Sequence, residues 1–144
     1  MSATTGGARR RARELVFRIA FAADLAGDPA TETWDGERAG HELSTDQREL
    51  VEDVVATLTR ESARVDQTLA AAAEHWPLER LAATDRAVLR TAVAELLARP
   101  GTPARVVLDE AIEIAKRYGS DESGRFINGV LDRVARTLRP GEFQ

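Results

Sequence analysis

The chain has 144 residues, a formal net charge of −4 and no cysteine, so it can bury one core but cannot form disulfides or thiolate metal sites. Charged residues, 31% of the total, break every apolar stretch short of the roughly 18 residues of a membrane span; no membrane partner is expected and the cytoplasm is the default location. Four of the 20 basic side chains and none of the 24 acidic ones lie in the first 13 residues, leaving −8 on the rest. A basic head on an acidic body points to a polyanion gripped at one place.

Residues 1–8 read as a flexible N-terminus. In residues 9–26, Leu15, Ile19, Ala22, Ala23 and Ala26 share one helical face, which ends at Gly27-Asp28-Pro29. Residues 27–43, punctuated by Gly27, Pro29, Gly36 and Gly40, predict a long loop. Ser44 and Gln47 form a capping-box pattern ahead of a second helix carrying Leu50, Val51, Val54, Val55 and Leu58. A third helix is predicted from Ser62 to Glu74, with Leu78 and Leu81 beyond Pro77 as buried anchors. The fourth starts at Thr84 or Asp85, runs through Val88, Ala92 and Leu96, and stops at Arg99-Pro100-Gly101-Thr102-Pro103. The fifth carries Val107, Ala111, Ile114 and Tyr118 and closes on Gly119, read as a left-handed cap. The sixth has the cleanest pattern, Phe126 to Leu138, and Pro140 halts it; 140–144 read as a tail. No segment alternates with period two, so the fold class is all-α with about six or seven helices.

Signs of catalysis are thin. His41 and His75 are far apart and outside any metal-ligand spacing, and there is no phosphate-binding loop, dinucleotide fingerprint or nucleophile elbow. Glu110/Glu113 and Asp121/Glu122 read as solvated helix charges. No catalytic residue, metal or cofactor is expected, which favours a binding module over an enzyme. Aromatic residues are only 5% of the chain, so any that reaches the surface is suspect.

The positive evidence is Arg9, Arg10, Arg11 and Arg13. Cations at a helix N-terminus oppose the macrodipole and repel one another, so a bound anion is the better explanation for them. No duplex-groove module is present. Single-stranded RNA calls for basic contacts plus a stacking ring, and the loop Gly119 to Asn128 offers Arg125, Phe126 and Asn128. The bland alternative for that loop is a plain helix start with Phe126 in the core.

Several separated motifs carry a resemblance. The stretch VLDEAIEIAKRYG at 107–119 runs on to SGRFINGVLD at 123–132, and ARRRARE at 8–14 and DRAVLRTAVAELL at 85–97 precede it in order. Together with the Pro100 to Pro103 turn, these resemble the NusB family of bacterial transcription antitermination factors, over residues 8–139. The resemblance implies two three-helix subdomains packed as one NusB-like RNA-binding domain at 9–139, and no enzymatic activity. It implies binding of single-stranded boxA RNA in rRNA operon leaders together with the ribosomal protein NusE, then assembly on RNA polymerase with other Nus factors. By position it assigns RNA contacts to Arg9, Arg10, Arg11, Arg13, Glu122, Arg125, Phe126 and Asn128. NusE contacts fall to Phe21 and Asp85. Ala94 and the neighbourhood of Ala23 depart from aromatic residues common in relatives, which implies a smaller, less aromatic partner surface, and Gly124 stands where relatives carry a polar side chain, which implies one RNA contact fewer. Some family members form homodimers, so a second copy is an alternative partner. The same fold also serves as an accessory domain of rRNA methyltransferases, a role this chain would fill without a methyl-donor domain.

Overall fold

The computed structural model describes residues 2–73 and 75–143, with side chains from residue 7 onward. Seven α-helices occur among them: α1 (Ser2–Ala26), α2 (Ala30–Glu37), α3 (Thr45–Arg60), α4 (Ser62–Ala72), α5 (Ala83–Ala98), α6 (Ala104–Tyr118) and α7 (Ser123–Leu138). There is no strand among the described residues. Helices α1, α2 and α3 pack on one another, as do α5, α6 and α7, with α4 against α5 and α7. Helix α5 ties the halves together by touching α1, α3, α4, α6 and α7, and its Val88, Leu89, Val93 and Ala94 are almost wholly buried.

Local chemistry explains most boundaries. Gly27 adopts φ 75°, the left-handed conformation glycine tolerates, and closes α1 with Gly27 N–H to Asp24 O at 3.2 Å and Asp28 N–H to Ala23 O at 2.9 Å. The capping box at α3 is present, with Gln47 N–H donating to Ser44 Oγ at 3.2 Å and Ser44 N–H to Gln47 Oε1 at 2.9 Å. Leu78 and Leu81 pack against the core from the 3-10 turn region after α4.

Four expectations need correction. The stretch 27–43 is not one long loop: Pro29 pre-sets the backbone ahead of α2, which buries Ala30 and Trp34 one turn apart. A single turn of apolar spacing is too short to read as periodicity among glycines. Helix α1 begins well before residue 9, at Ser2. The third predicted helix ends at Ala72, and Glu74 lies outside the described residues. Gly119 is extended (φ −99°, ψ −164°) rather than left-handed. It is glycine for space, since a Cβ there would stand 2.5 Å from Ser123 Oγ and 2.8 Å from the Ala115 carbonyl oxygen.

The C-terminal stretch is seated on the fold. Arg139 donates to the carbonyls of Leu96, Arg99 and Thr102, gathering the end of α5 and the turn before α6. Glu142 accepts the Ala104 N–H at 2.9 Å and so caps α6 with negative charge where the helix dipole favours it.

Candidate nucleic-acid interface

The arginine tract occupies one helical stretch, so its side chains point around α1 at about 100° intervals. Arg9 and Arg11 are exposed and form no ion pair among the described residues. Arg9 overlooks a cleft of about 480 Å³ above the α5–α6 turn, shared with Asp53 and Arg99. Arg10 is exposed but engaged: its Nε and Nη2 each donate to Glu110 at 3.0 Å, and that hydrogen bonding shifts its pKa upward.

Arg13 points inward, contrary to the expectation of a phosphate contact. It is 8% exposed and forks onto Glu95 of α5 through three hydrogen bonds of 2.8 to 3.0 Å. Arg13 shares the face of Arg9 but lies one turn further along α1, under the α1–α5 contact, where the Glu95 carboxylate compensates its charge.

Below the tract, α1 and α6 run side by side in the same direction. Arg10 is level with Glu110, Glu14 with Arg117, and Arg18 with Tyr118. Tyr118 donates to Glu14, accepts from Arg18 Nη2 at 3.1 Å, and packs on Phe17 with ring centroids 5.0 Å apart. The hydrogen bond from Tyr118, aided by Arg117, holds the Glu14 carboxyl below its ordinary value of 4.5. Eight residues of α1 separate Arg10 from Arg18, about 12 Å along the axis. The tract and the Gly119 to Asn128 segment thus stand at the two ends of one seam.

That segment is braced from within. Ser123 is buried and its Oγ accepts the Ser120 N–H at 2.9 Å. Gly124 is also buried; a Cβ there would press on Lys116 Cγ at 3.3 Å, so glycine lets α7 approach α6 and no outward contact is lost at this position. Outside stand Glu122, Arg125 and Asn128, all exposed, with Phe126 half-buried. The Phe126 ring meets Trp76, 59% exposed, at 78° with centroids 6.3 Å apart. The motifs alone did not single out Trp76; the scarcity of aromatics was its only signal.

Phe21 and Asp85 fall together elsewhere. Asp24, three residues after Phe21, binds Arg86 at 2.6 Å, which sets the end of α1 against the start of α5. Phe21 is half-buried and Leu25, one turn on, is 65% exposed. One carboxylate oxygen of Asp85, Oδ1, is buried without a hydrogen-bond partner. Ala23 and Ala94 are buried, so the small residues there change the core rather than an exposed surface. No group of His and acidic residues that could hold a metal occurs among the described residues, and no helix there is long and apolar enough to cross a membrane.

The NusB family model matches residues 10–136. The chain belongs to the NusB family. It is 43% identical over 135 residues to the transcription antitermination protein NusB of Sorangium cellulosum (strain So ce56), covering 92% of this chain and 94% of that one. The NusB protein of Koribacter versatilis (strain Ellin345) is 42% identical, covering 92% and 91%. The fold is similar to T. maritima NusB with a TM-score of 0.84 at 33% identity, covering 94% of this chain and 96% of that one. It is also similar to a chain in the structure of antitermination factors NusB and NusE in complex with dsRNA, with a TM-score of 0.78 at 25% identity, covering 90% and 96%. The NusB-like fold therefore extends over nearly the whole chain, as the separated motifs implied.

Proposed function

We propose that the chain is a non-enzymatic transcription antitermination factor that binds boxA RNA of rRNA operon leaders together with NusE and joins RNA polymerase with other Nus factors. The observation that carries this reading is the pair of free guanidinium groups, Arg9 and Arg11, held in solvent on two sides of a folded helix in an otherwise acidic NusB-family chain. Charge of that kind, locally uncompensated, is what a phosphate backbone rewards. Arg10 joins them by exchanging Glu110 for phosphate. At the far end of the seam Arg125, Phe126 and Asn128 supply cation, ring and hydrogen-bonding amide for unpaired nucleotides, with Glu122 beside them.

The surface of Phe21, Leu25 and Asp85 is the proposed NusE contact. An exposed leucine beside a half-buried phenylalanine gives it apolar area, and a donor from the partner would satisfy the orphaned Asp85 oxygen, whose burial otherwise costs about 1–3 kcal/mol. The proposed RNA contacts and the proposed NusE contacts share no residue, so this reading has both partners bound at once. The test is a titration of boxA RNA with this chain alone, NusE alone and the two mixed. The expected result is a cooperative gain in the mixture that Asp85→Lys removes and Arg11→Ala weakens. Independent binding, with no gain on mixing, would overturn the joint reading.

A further inference from the structure

Trp76 is a large apolar side chain left in solvent, on the turn that follows α4, where its N–H donates to the Ala73 carbonyl at 2.9 Å. Between its ring and that of Phe126 opens a cleft of about 200 Å³, floored by Ala72, Ala73, Gly129 and Val130 and edged by His75 and Arg133. Arg133 is exposed, donates through Nη1 to the Ala72 carbonyl at 3.0 Å, and makes no ion pair among the described residues. Among the described residues that line the cleft there is no carboxylate. Gly129 has open space where its Cβ would be and no unusual φ, so neither packing nor backbone geometry calls for glycine in this helix interior, where it weakens the helix. What the glycine does is keep the floor of the cleft low.

We propose that this cleft receives one unstacked base of the bound RNA, with Trp76 and Phe126 as its walls and Arg133 at its mouth for the adjoining phosphate. The proposal rests on the RNA-binding reading and extends it to residues that reading does not use. The cleft is smaller than the 300–1,000 Å³ pockets that hold drug-sized ligands and lies beside an edge-to-face aromatic pair that offers a ring surface for one planar base. Bases stack on such rings with little regard to identity. A guanidinium with no ion pair among the described residues favours the phosphate next to that base over an apolar protein segment. Phe126 belongs to both places, so an RNA strand that reaches it also reaches Trp76.

Fluorescence tests the proposal directly, because the chain has two tryptophans and Trp34 is only 3% exposed. A short single-stranded boxA RNA is titrated into the chain with NusE present, and the same titration is run on Trp76→Leu and Gly129→Met. In the native chain the RNA is expected to quench the emission and to shield it from acrylamide. Trp76→Leu is expected to show neither effect and to bind roughly ten-fold more weakly, with an unchanged salt slope, since stacking rather than ion pairing is removed. Gly129→Met, which fills the floor and leaves the ring in place, is expected to weaken binding similarly and to leave Trp76 unquenched. Full affinity in both variants, with no quenching in the native chain and an intact dependence on Arg9 and Arg11, overturns the base cleft and leaves RNA binding standing. Absence of RNA binding by the native chain overturns both. Self-association that Trp76→Leu abolishes, with no quenching by RNA, gives the cleft to a second copy of the chain and likewise overturns the proposal.

Discussion

At the residue scale, the tract's four arginines separate by their position along and around α1. Arg9 and Arg11 face solvent, Arg10 leans on Glu110, and Arg13 is sealed against Glu95. A charge removed from water must find a partner, and the forked guanidinium matches the carboxylate with parallel hydrogen bonds. Removing one member leaves the other charged and buried. Arg13→Met is therefore expected to cost about 3–5 kcal/mol of stability in urea melts, and the double variant Arg13→Met/Glu95→Met to recover most of it. A double variant as unstable as the single would show that the cost lies in packing instead of the stranded charge. Glu122 poses the opposite case, an exposed carboxylate at the start of α7 whose side chain caps nothing. Its charge opposes phosphate, so Glu122→Gln is expected to tighten boxA RNA by roughly two- to five-fold at low salt, fading as salt screens the site. Weaker binding in the same titration would mean that Glu122 accepts a hydrogen bond from a base or orients an arginine.

At the scale of elements, α2 carries more than its eight residues suggest. Trp34 is buried against the core, and its indole N–H reaches Glu52 Oε2 at 3.4 Å. Trp34→Ala is expected to cost about 3–5 kcal/mol and lower the melting temperature by roughly 10 °C, with RNA affinity unchanged while the chain remains folded. The sequence pattern predicts a loop here but helices at α3, α5, α6 and α7, and the difference has a physical reason. Long helices repeat their apolar face several times, but one turn between glycines offers a single Ala30–Trp34 pair and no repeat. The α1–α6 seam was equally hidden, because Glu14, Arg117 and Tyr118 meet only after the chain has folded across 103 residues. Glu14 makes that seam sensitive to acid. Its carboxyl titrates below its ordinary value of 4.5, held there by the Tyr118 hydrogen bond and Arg117, so it binds protons less readily folded than unfolded. Its contribution is present above the unfolded carboxylate range and is lost as pH falls through the depressed folded value. The gap in melting temperature between the native chain and Glu14→Gln should thus be widest near neutral pH and close as pH falls through the depressed folded value. A gap independent of pH would trace the difference to shape rather than charge.

At the scale of the whole molecule, a net charge of −4 conceals a basic head, and that asymmetry was legible from composition alone. Which arginines remain available was not, because availability depends on helix phase and on carboxylates supplied by α5 and α6. Trp76 was illegible for a related reason: exposure of an aromatic is a tertiary outcome, and nothing around Pro77 distinguishes a buried ring from an open one. The folded arrangement changes what salt should do to RNA binding. With Arg13 withdrawn and the base cleft with its Arg133 set aside, the cations left for phosphate are Arg9, Arg10, Arg11 and Arg125, of which Arg10 must first leave Glu110. At about −0.7 per contact on a single strand, four contacts give a slope of log K against log salt near −3. Arg9→Ala and Arg11→Ala should each make that slope shallower by about 0.7, whereas Arg13→Met should leave it unchanged in any variant that still folds. Glu110→Gln should tighten binding, since it frees Arg10 from its competitor without removing a cation. If Arg13→Met flattened the slope as much as Arg11→Ala, the buried arginine would have to open onto the RNA, and the ion pair with Glu95 would be a latch rather than a support.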